Sequence, residues 1–313
     1  MHQCFKWLVR QALRVFFSRI VVQPIERIKH EGPLLVVANH PNSFLDAIVI
    51  GACFDSPLYF LARGDAFERP LFRFLLNALH MIPIYRMREG RDQVRRNRDS
   101  FEACQALLLQ GRSLLIFIEG ICVNQHELQP FKKGAARLAR EYQGPKALQI
   151  LPVGIAFEHL RGARKQVNLR FGPFQKAGDL LKGEKENQQV LAFNNSMNLQ
   201  LKQLIQLPQH KPTDNNFSVA FLALKFLHFP FLVCCKMASG FFTRGSVFYD
   251  SVLFALLFLG YPVYLMACWT FYKLLGMNGI GSFGLVVYQV LLLYVVTNRG
   301  FLLTKRPDPP TIQ

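Results

Sequence analysis

The chain has 313 residues, 51% of them hydrophobic and 29 of them Phe, and its 37 Lys and Arg against 20 Asp and Glu give a formal net charge of +17. This composition excludes an intrinsically disordered chain, and the length suits about two domains, or one domain with an appendage. The positive charge favours anionic partners: nucleic acid, anionic lipid or phosphorylated molecules. The seven Cys are scattered without a CxxC pair or metal-ligand spacing, so we expect reduced thiols and no structural zinc.

Residues 1–29 are predicted to form an amphipathic helix. Lys6, Arg10 and Arg14 recur every four residues on one face, and apolar side chains that include Trp7 occupy the rest. Such a helix suits a membrane interface, and packing against a folded domain is the alternative. Because basic residues interrupt every apolar run, no cleavable signal peptide is predicted.

Residues 30–206 alternate short apolar runs with amphipathic stretches, a pattern typical of an α/β domain with a largely parallel sheet. The predicted strands are Leu34–Ala38, Leu58–Ala62, Ile82–Tyr85, Leu114–Ile118, Ile150–Phe157 and Val167–Phe171. The predicted helices cover about 43–54, 68–79, 97–111, 132–142 and 186–206. Because open α/β sheets bind ligands beyond the carboxyl ends of their strands, polar residues at those positions are the first candidates for a site.

The last third of the chain is almost uncharged and follows a polar linker at 207–216. Ser251–Tyr272 carries no charged side chain and, at about 1.5 Å per residue, reaches roughly 33 Å, enough to cross a bilayer core. A second uncharged run, Leu274–Asn298, follows it, and basic residues flank the pair at both outer ends, which places both ends in the cytoplasm. Residues 246–313 are therefore predicted as a transmembrane helical hairpin with a short tail; two buried helices of a soluble protein are the alternative.

Residues 217–245 are apolar but contain Lys225, His228 and Pro230. As a span, this segment would hold Lys225 near the middle of the bilayer, which is costly, so we predict an interfacial or re-entrant segment. The alternative is a third span, which would place the carboxyl terminus on the opposite side from the front of the chain.

His40 and Asp46 are the first candidates for chemistry. His40 lies in a turn directly after the strand Leu34–Ala38, and Ser43–Asp46 has the pattern of an N-cap box that opens a helix. From the first helical turn, Asp46 could fold back onto the imidazole, fix its tautomer and leave the other ring nitrogen to accept a proton. A capping role for Asp46 and a plain turn position for His40 remain equally open on these residues alone.

Three further charged residues lie at the ends of predicted elements, and two of them suit an anion. Arg86 ends a strand and could form a bidentate contact with a phosphate. Glu119, followed by Gly120, ends a buried strand, where an acid is costly unless it binds a backbone group or a substrate hydroxyl. Lys132 lies at a helix start, where backbone amides and a lysine together suit an anion. The alternatives are a solvated basic surface and an ordinary helix start.

A fourth block places Pro152 inside the strand Ile150–Phe157, which indicates an edge strand or a bulge. Taken in order over residues 30–175, the blocks resemble the phospholipid/glycerol acyltransferase superfamily, which includes lysophosphatidate and glycerol-3-phosphate acyltransferases. The matching motifs are Asn39-His40…Asp46, Ala62-Arg63…Phe67…Pro70, Ile82-Pro83-Ile84-Tyr85-Arg86, Phe117-Ile118-Glu119-Gly120, Phe131-Lys132-Lys133-Gly134, Pro152-Val153-Gly154 and Phe171-Gly172.

The resemblance implies a role for each matched residue. His40 would be the general base that deprotonates the acceptor hydroxyl, and Asp46 would orient it. The head of the glycerol phosphate would be held by Arg86, Glu119, Gly120 and Lys132, and Pro152 would support the pocket. The acyl donor would be a thioester on coenzyme A or acyl carrier protein, acting as co-substrate, with no cofactor and no metal.

Two features depart from the usual pattern of the superfamily. Five residues separate His40 from Asp46 where four are usual, and this longer form resembles fungal-type glycerol-3-phosphate/dihydroxyacetone-phosphate acyltransferases and a group of bacterial relatives. Ile121 and Cys122 stand where Thr and Ser or Arg usually follow Glu-Gly. The second departure bears on the phosphate contacts and hence on the identity of the acceptor.

The resemblance predicts a membrane glycerolipid O-acyltransferase of phosphatidic acid and phospholipid synthesis, acting on glycerol-3-phosphate or 1-acylglycerol-3-phosphate. Its partners would be the lipid bilayer, the acyl thioester and the glycerol-phosphate acceptor. Another lysolipid acceptor, such as an amino-acid lipid, and a non-catalytic membrane-binding member of the fold are the alternatives. A nucleic-acid-binding protein is disfavoured, because the sequence has no recognition motif and long uncharged runs. The resemblance further suggests a bacterial inner membrane, with the catalytic domain facing the cytoplasm.

Overall fold

The structure, a computed structural model, describes residues 2–23, 30–68, 70, 73, 76–77, 79–84, 91–207 and 219–298. In chain order the elements are α1 His2–Phe16, β1 Arg19–Gln23, β2 Leu34–Ala38, α2 Phe44–Ala52, β3 Leu58–Arg63, β4 Met81–Ile84, α3 Arg91–Leu109, β5 Ser113–Phe117, α4 Gly134–Glu141, β6 Gln149–Phe157, β7 Gln166–Phe171, β8 Gln175–Lys176, α5 Ala177–Leu180, α6 Glu186–Leu204, α7 Val219–Thr243, α8 Tyr249–Leu274 and α9 Gly279–Asn298. The helix predicted at about 68–79 lies largely outside the described residues.

Two compact bodies make up the chain. The sheet body consists of residues 26–156 and 169–206, and the helical body consists of residues 1–25, 157–168 and 207–313. In the sheet body the strand order is β6-β2-β5-β3-β4. β2 pairs in parallel with β5 and β6, and β3 pairs in parallel with β4 and β5, whereas the short β8 runs antiparallel to β6. The predicted mostly parallel sheet flanked by helices is confirmed.

The core of the sheet body lies around β2, whose five residues are all apolar and completely buried. A continuous apolar run of this kind is typical of a parallel strand that is covered on both faces. Leu35 and Val37 share one hydrophobic cluster with side chains of α3, α4 and α6, among them Leu108, Leu138 and Phe193. Each such aliphatic side chain stabilises the fold by about 1.5–3 kcal/mol on full burial. The packing fixes the carboxyl end of β2 beside that of β5, where Ala38 is in register with Phe117.

Pro152 corrects the prediction of an edge strand or bulge. β6 is an interior strand in which Pro152 pairs with Val37 of β2. The Pro152 carbonyl accepts a hydrogen bond from the N–H of Gly172, on the side away from β2. The backbone N and the carbonyl of one strand residue point to the same side of the strand. The Pro152 nitrogen, which carries no hydrogen, therefore points towards β7 and not towards β2, at a level just past the last β7 residue, Phe171. An interior strand therefore tolerates this proline without losing a bond to β2.

The amino-terminal helix of the helical body is shorter than the predicted 1–29. α1 ends at Phe16, and β1 follows at Arg19–Gln23, next to β7. The β-branched run Ile20-Val21-Val22 favours a strand, and the ladder with β7 satisfies its backbone groups. Leu13 and Phe16 are buried, Phe16 packs edge-on against Phe254 of α8, and Trp7 stays 55% exposed. An interfacial position for α1 remains a prediction.

The last three helices, α7, α8 and α9, pack on one another. They bury polar side chains between them and expose apolar ones, the reverse of a water-soluble bundle. His228, Ser239, Ser282 and Gln289 are buried, and two of them bind tyrosine hydroxyls: His228 Nε2 lies 3.2 Å from that of Tyr261, and Gln289 hydrogen-bonds that of Tyr272. Large apolar side chains cover the outside instead, including Phe226, Met237, Leu259, Val263, Met266, Ile280, Phe283 and Leu291. Apolar surface outside and polar groups inside are what a helix bundle in lipid requires, because hydrocarbon offers no hydrogen bonds.

Within the described part of the chain, two helical segments are long and apolar enough to cross a membrane, Phe226–Thr243 and Tyr249–Leu274, and Gly279–Leu291 is a shorter apolar helix. The hairpin predicted within 246–313 corresponds to α8 and α9. The segment 217–245, predicted to be interfacial or re-entrant, forms from residue 219 onwards the continuous helix α7, with Pro230 inside it. Whether α7 lies in the interface or crosses the bilayer stays a prediction.

Candidate active site

His40 and Asp46 meet at the carboxyl end of β2. The imidazole Nδ1 lies 2.9 Å from Asp46 Oδ2, and the Asp46 carboxylate is fully buried while 18% of the His40 side chain is exposed. Asp46 belongs to the first turn of α2, but the predicted N-cap box is not formed, because the Ser43 side chain makes no capping hydrogen bond and the Ser43 N–H does not bind Asp46. With an ionised carboxylate at Nδ1, that nitrogen carries the proton, and the Nε2 lone pair is left to accept another.

The loop between β2 and α2 folds tightly around the same carboxylate. The N–H of Asn42 donates to Asp46 Oδ2 at 2.8 Å, so one oxygen receives both the loop amide and the imidazole. Ser43 adopts φ 54° and ψ −139°, a conformation that costs a residue with a Cβ roughly 1–3 kcal/mol. Its N–H points at Cys122 Sγ, 3.0 Å away. This strained residue lies in the turn that brings the ring and the carboxylate together.

Asn39 links the site to β6. Its Nδ2 donates to the carbonyl of Ile155 and its Oδ1 accepts from the N–H of Ile155, both at 2.9 Å. The side chain is buried and immediately precedes His40. Local sequence assigns Asn39 no role beyond its place in the motif, because its partner lies 116 residues away.

The imidazole plane is set by an aromatic ring. His40 stacks on Phe117, the last residue of β5, with ring centroids 3.8 Å apart and an interplanar angle of 9°. The sequence pattern places Phe117 in a motif but does not indicate this contact. Together, Asp46 at one nitrogen and Phe117 under the face restrict the ring to one orientation.

Glu119 lies in the turn after β5 and is buried, with 3% of its surface exposed. Burial raises the pKa of the Glu119 carboxyl to about 7, and the nearby Asp46 carboxylate adds to the rise, while backbone hydrogen bonds from Gln129 and His40 oppose it. A backbone contact with His40 places Glu119 at the edge of the site. Burial, with the Asp46 and Glu119 charges adding, likewise raises the pKa of the Cys122 thiol to about 12, so Cys122 stays protonated at neutral pH.

Gly120 and Lys132 lie against each other. Gly120 has φ 62°, and a Cβ at this position would come within 2.8 Å of Lys132 Cγ. The N–H of Lys132 donates to the carbonyl of Ile118 at 2.8 Å, which ties the Lys132 backbone to the turn after β5. The Lys132 side chain is exposed and lies just before α4. Glycine is required here by both the backbone angle and the close approach.

The other predicted site residues are less close to this group. Pro152 lies in β6 opposite Val37, below the end of β2 and three residues before Ile155. Arg86 lies outside the described residues. Among the residues that the structure describes, no group of three or more His, Cys, Asp and Glu side chains could hold a metal ion. The described geometry is an imidazole held by a buried carboxylate, with the exposed Lys132 tied through its backbone to Ile118 at the end of β5.

Comparisons with known proteins agree on one superfamily. A family model described as Acyltransferase matches residues 19–156. The probable 1-acyl-sn-glycerol-3-phosphate acyltransferase of Mycoplasma genitalium is 31% identical over 140 residues, 43% of this chain and 48% of that protein. A chloroplastic 1-acyl-sn-glycerol-3-phosphate acyltransferase of Brassica napus is 30% identical over 124 residues, 39% of this chain and 34% of that protein. The match thus spans less than half the length of these relatives.

A solved structure has the same fold. The crystal structure of the 1-acyl-sn-glycerophosphate (LPA) acyltransferase PlsC from Thermotoga maritima aligns with a TM-score of 0.51 over 67% of this chain and 81% of that one. The two sequences are 19% identical over this alignment, so the likeness concerns the fold alone.

Proposed function

We propose, from the match of residues 19–156 to the family model described as Acyltransferase, that the chain is a membrane O-acyltransferase that moves a fatty acyl group from a thioester to the free hydroxyl of 1-acylglycerol-3-phosphate. The single observation that carries the proposal is the contact between His40 Nδ1 and the buried Asp46 carboxylate, at 2.9 Å. The names of the relatives favour this acceptor over glycerol-3-phosphate, which we keep as the alternative.

In the proposed reaction His40 Nε2 takes the proton of the acceptor hydroxyl as its oxygen forms a bond to the thioester carbonyl carbon. The carbon–sulfur bond then breaks, and the proton passes from His40 to the departing thiolate, which leaves as a free thiol. Asp46 stabilises the imidazolium that exists between the two transfers, and it holds the tautomer that the first one requires. Coenzyme A and acyl carrier protein are the two candidate thiols, and no cofactor is needed.

The proposed acceptor is anionic, and Lys132 is an exposed cation that lies against Gly120 and is anchored through its N–H to Ile118. We propose that it binds the acceptor phosphate, with Arg86 as a second predicted contact and the turn at Glu119–Gly120 as the floor. Pro152 supports this region from β6. We also propose that the protein lies in a lipid bilayer, that this bilayer is a bacterial inner membrane, and that the catalytic domain faces the cytoplasm.

The test uses membranes that contain the wild-type chain, the His40→Ala variant or the His159→Ala variant, with palmitoyl-CoA and, separately, palmitoyl acyl carrier protein as donor. Thiol release is followed with 1-acylglycerol-3-phosphate and separately with glycerol-3-phosphate. We expect His40→Ala to lose at least about 10²-fold in rate, the usual worth of a general base. The exposed His159, whose side chain is 71% accessible, serves as the matched control and should keep full activity.

If the wild type releases thiol with neither acceptor and neither donor, palmitoyl-CoA or palmitoyl acyl carrier protein, the proposed reaction is wrong. If both variants keep wild-type activity, His40 is not the base. A non-catalytic role in membrane binding would then be the better proposal, and Ile121 and Cys122, which depart from the motif, would be its support.

A further inference from the structure

Nearly all charged side chains in the described part of the helical body are positive. Among its described residues only Glu158 and Asp250 are carboxylates, and both are shielded. Asp250 is 1% exposed and binds Lys165, whereas Glu158 is 13% exposed and accepts the N–H of Gln166 at 3.0 Å. The basic residues of the same body include Lys6, Arg10, Arg14, Arg19, Arg161, Arg164, Lys236, Arg244 and Lys273. The surface charge of this body is therefore positive without an exposed compensating acid in the described residues.

Asp250 holds a loop that carries two of these arginines at one end of α8. It lies in the first turn of α8, where Oδ1 accepts the N–H of Gly162 at 2.6 Å and Oδ2 binds Lys165. These bonds fasten the β6–β7 loop, residues 158–165, to the start of α8. Arg161 of this loop lies 4.2 Å over the ring of Tyr249, and the N–H of Arg164 donates to the carbonyl of Phe16 at 2.6 Å.

Three arginines are consequently exposed at this end: Arg161 and Arg164 in the loop, and Arg244 in the turn between α7 and α8. We call them the arginine belt. Apolar surface begins immediately beside it, with Phe241 73% and Phe242 70% exposed. At the opposite end of α8, Lys273 lies over the ring of Trp269, and Lys225 belongs to the part of α7 that precedes the contacts of Leu227 and His228 with Tyr264. The two ends thus differ in that the three arginines are gathered at one of them.

We propose that the arginine belt binds the phosphate headgroups of an anionic phospholipid leaflet, and that the start of α8 lies in that leaflet. The occupant is indicated by charge and by position together. Guanidinium groups bind phosphate through forked hydrogen bonds, and each basic residue near an anionic leaflet raises its local affinity about fivefold. The exposed phenylalanines next to the belt would lie at the level of the acyl chains. The inference does not depend on the proposed catalytic activity.

The buried ion pair explains why the belt is positive. Without Asp250, the buried Lys165 would lose its carboxylate partner, and the loop would lose its hydrogen bonds to the start of α8. With it, one positive charge is neutralised inside while the two neighbouring arginines remain outside. The carboxylate thereby fixes the loop and leaves its exposed charge intact.

The test compares the lipid at the two ends of α8. A near-end reporter replaces Phe248 with Trp in a Trp7→Phe/Trp269→Phe background, and a far-end reporter keeps Trp269 in a Trp7→Phe background, which leaves one fluorophore in each case because the chain has 2 Trp. Each protein is reconstituted in bilayers of phosphatidylcholine and phosphatidylglycerol, with bromine on the chains of one lipid or the other. Quenching then gives the local preference for phosphatidylglycerol.

We expect the near-end reporter to prefer phosphatidylglycerol at least about fivefold over the far-end reporter, and about 0.5 M salt to weaken that preference. The triple substitution Arg161→Gln/Arg164→Gln/Arg244→Gln should abolish it. Substitution of two exposed lysines of the sheet body, Lys182→Gln/Lys202→Gln, should leave it unchanged.

Equal preference at the two ends, or a near-end preference that survives the triple substitution in protein with wild-type circular dichroism and elution, would overturn the proposal. An equal loss with the lysine control would also overturn it, because the attraction would then come from net charge rather than from the belt.

Discussion

The side-chain amide of Asn39 pairs with both backbone groups of Ile155, at 2.9 Å each, and so extends the ladder between β2 and β6 by one residue past the end of β2. An amide is the one side-chain group of this size that offers a donor and an acceptor side by side. The position of His40 is therefore tied to an interior strand.

Asn39→Ala should destabilise the protein by about 2–4 kcal/mol, because it leaves two buried backbone groups of Ile155 unpaired. Asn39→Asp keeps the shape but turns a second acceptor towards the Ile155 carbonyl, so it should cost a similar amount. Thermal unfolding in detergent measures both, and Asn187→Ala on the exposed start of α6 is the control. A change below about 0.5 kcal/mol in both Asn39 variants would contradict the role.

Asp46→Asn should lower the rate of acyl transfer while substrate affinity is retained. The amide can still accept the Asn42 N–H, but it cannot neutralise the imidazolium that His40 becomes during transfer. We expect kcat to fall by about 10²-fold and KM to change little. A variant with unaltered kcat would show that Asp46 only caps α2.

Glu119 gives the fold a distinctive pH dependence. Its pKa rises from 4.5 to about 7 on folding, so between these values the folded state binds more protons than the unfolded state. Stability is therefore lost as the pH rises through this window, by an amount on the order of 3 kcal/mol, and stays at the reduced level above it. Glu119→Gln should raise the melting temperature at about pH 8 and much less at about pH 4.5.

The matched control for Glu119 is Glu102→Gln, because Glu102 is 63% exposed on α3 and pairs with Arg98. That exposed pair contributes little, so its loss should shift the melting temperature by a similar small amount at both pH values. An equal response of the two variants to pH would mean that Glu119 titrates as an ordinary surface acid.

Gly120→Ala should affect binding as well as stability. Its φ of 62° costs any other residue about 1–2 kcal/mol, and the new methyl group would displace the Lys132 side chain. Gly111→Ala is the matched control, since Gly111 has φ 71° but its new methyl group would lie no closer than 3.7 Å to a neighbouring atom. Both should lose similar stability, and Gly120→Ala alone should raise the KM for the phosphate-bearing acceptor, by about tenfold. If the two variants have equal KM values for the acceptor, Lys132 does not bind it.

Lys165 and Asp250 form an ion pair whose two side chains are each 1% exposed. Lys165→Met should destabilise the helical body by about 3–5 kcal/mol, because it leaves a buried carboxylate uncompensated. In Lys165→Met/Asp250→Asn most of that loss should be recovered, since Asn can still accept the Gly162 N–H. Thermal unfolding in detergent measures the coupling energy between the two side chains. If the stability losses of the single variants simply add in the double variant, the predicted coupling is contradicted. Arg98→Met, at an exposed pair, should cost below about 1 kcal/mol.

Local pattern was sufficient for the mostly parallel sheet, and it placed Asp46 close enough to His40 for a contact while leaving a capping role equally open. β2 is apolar throughout, and the capping pattern at Ser43–Asp46 places the carboxylate in the first turn of α2, close to the preceding loop. Local pattern did not predict the features that depend on residues far away in the sequence. The partner of Asn39 lies 116 residues away, and the tolerance for Pro152 depends on where β7 ends. The strand β1 was missed because the amphipathic pattern continues past Phe16, although the β-branched run at Ile20–Val22 signals a strand.

The close stack of His40 on Phe117, with centroids 3.8 Å apart, also has a magnetic consequence. Protons held over the face of an aromatic ring are shielded by its ring current, so the carbon-bound imidazole protons of His40 should resonate well upfield of those of the other histidines. The chain has 8 His, and this displacement would set one of them apart without any label. The protonation of His40 could then be followed by nuclear magnetic resonance in the intact protein. A ligand that moves the imidazole away from Phe117 would shift these proton resonances downfield.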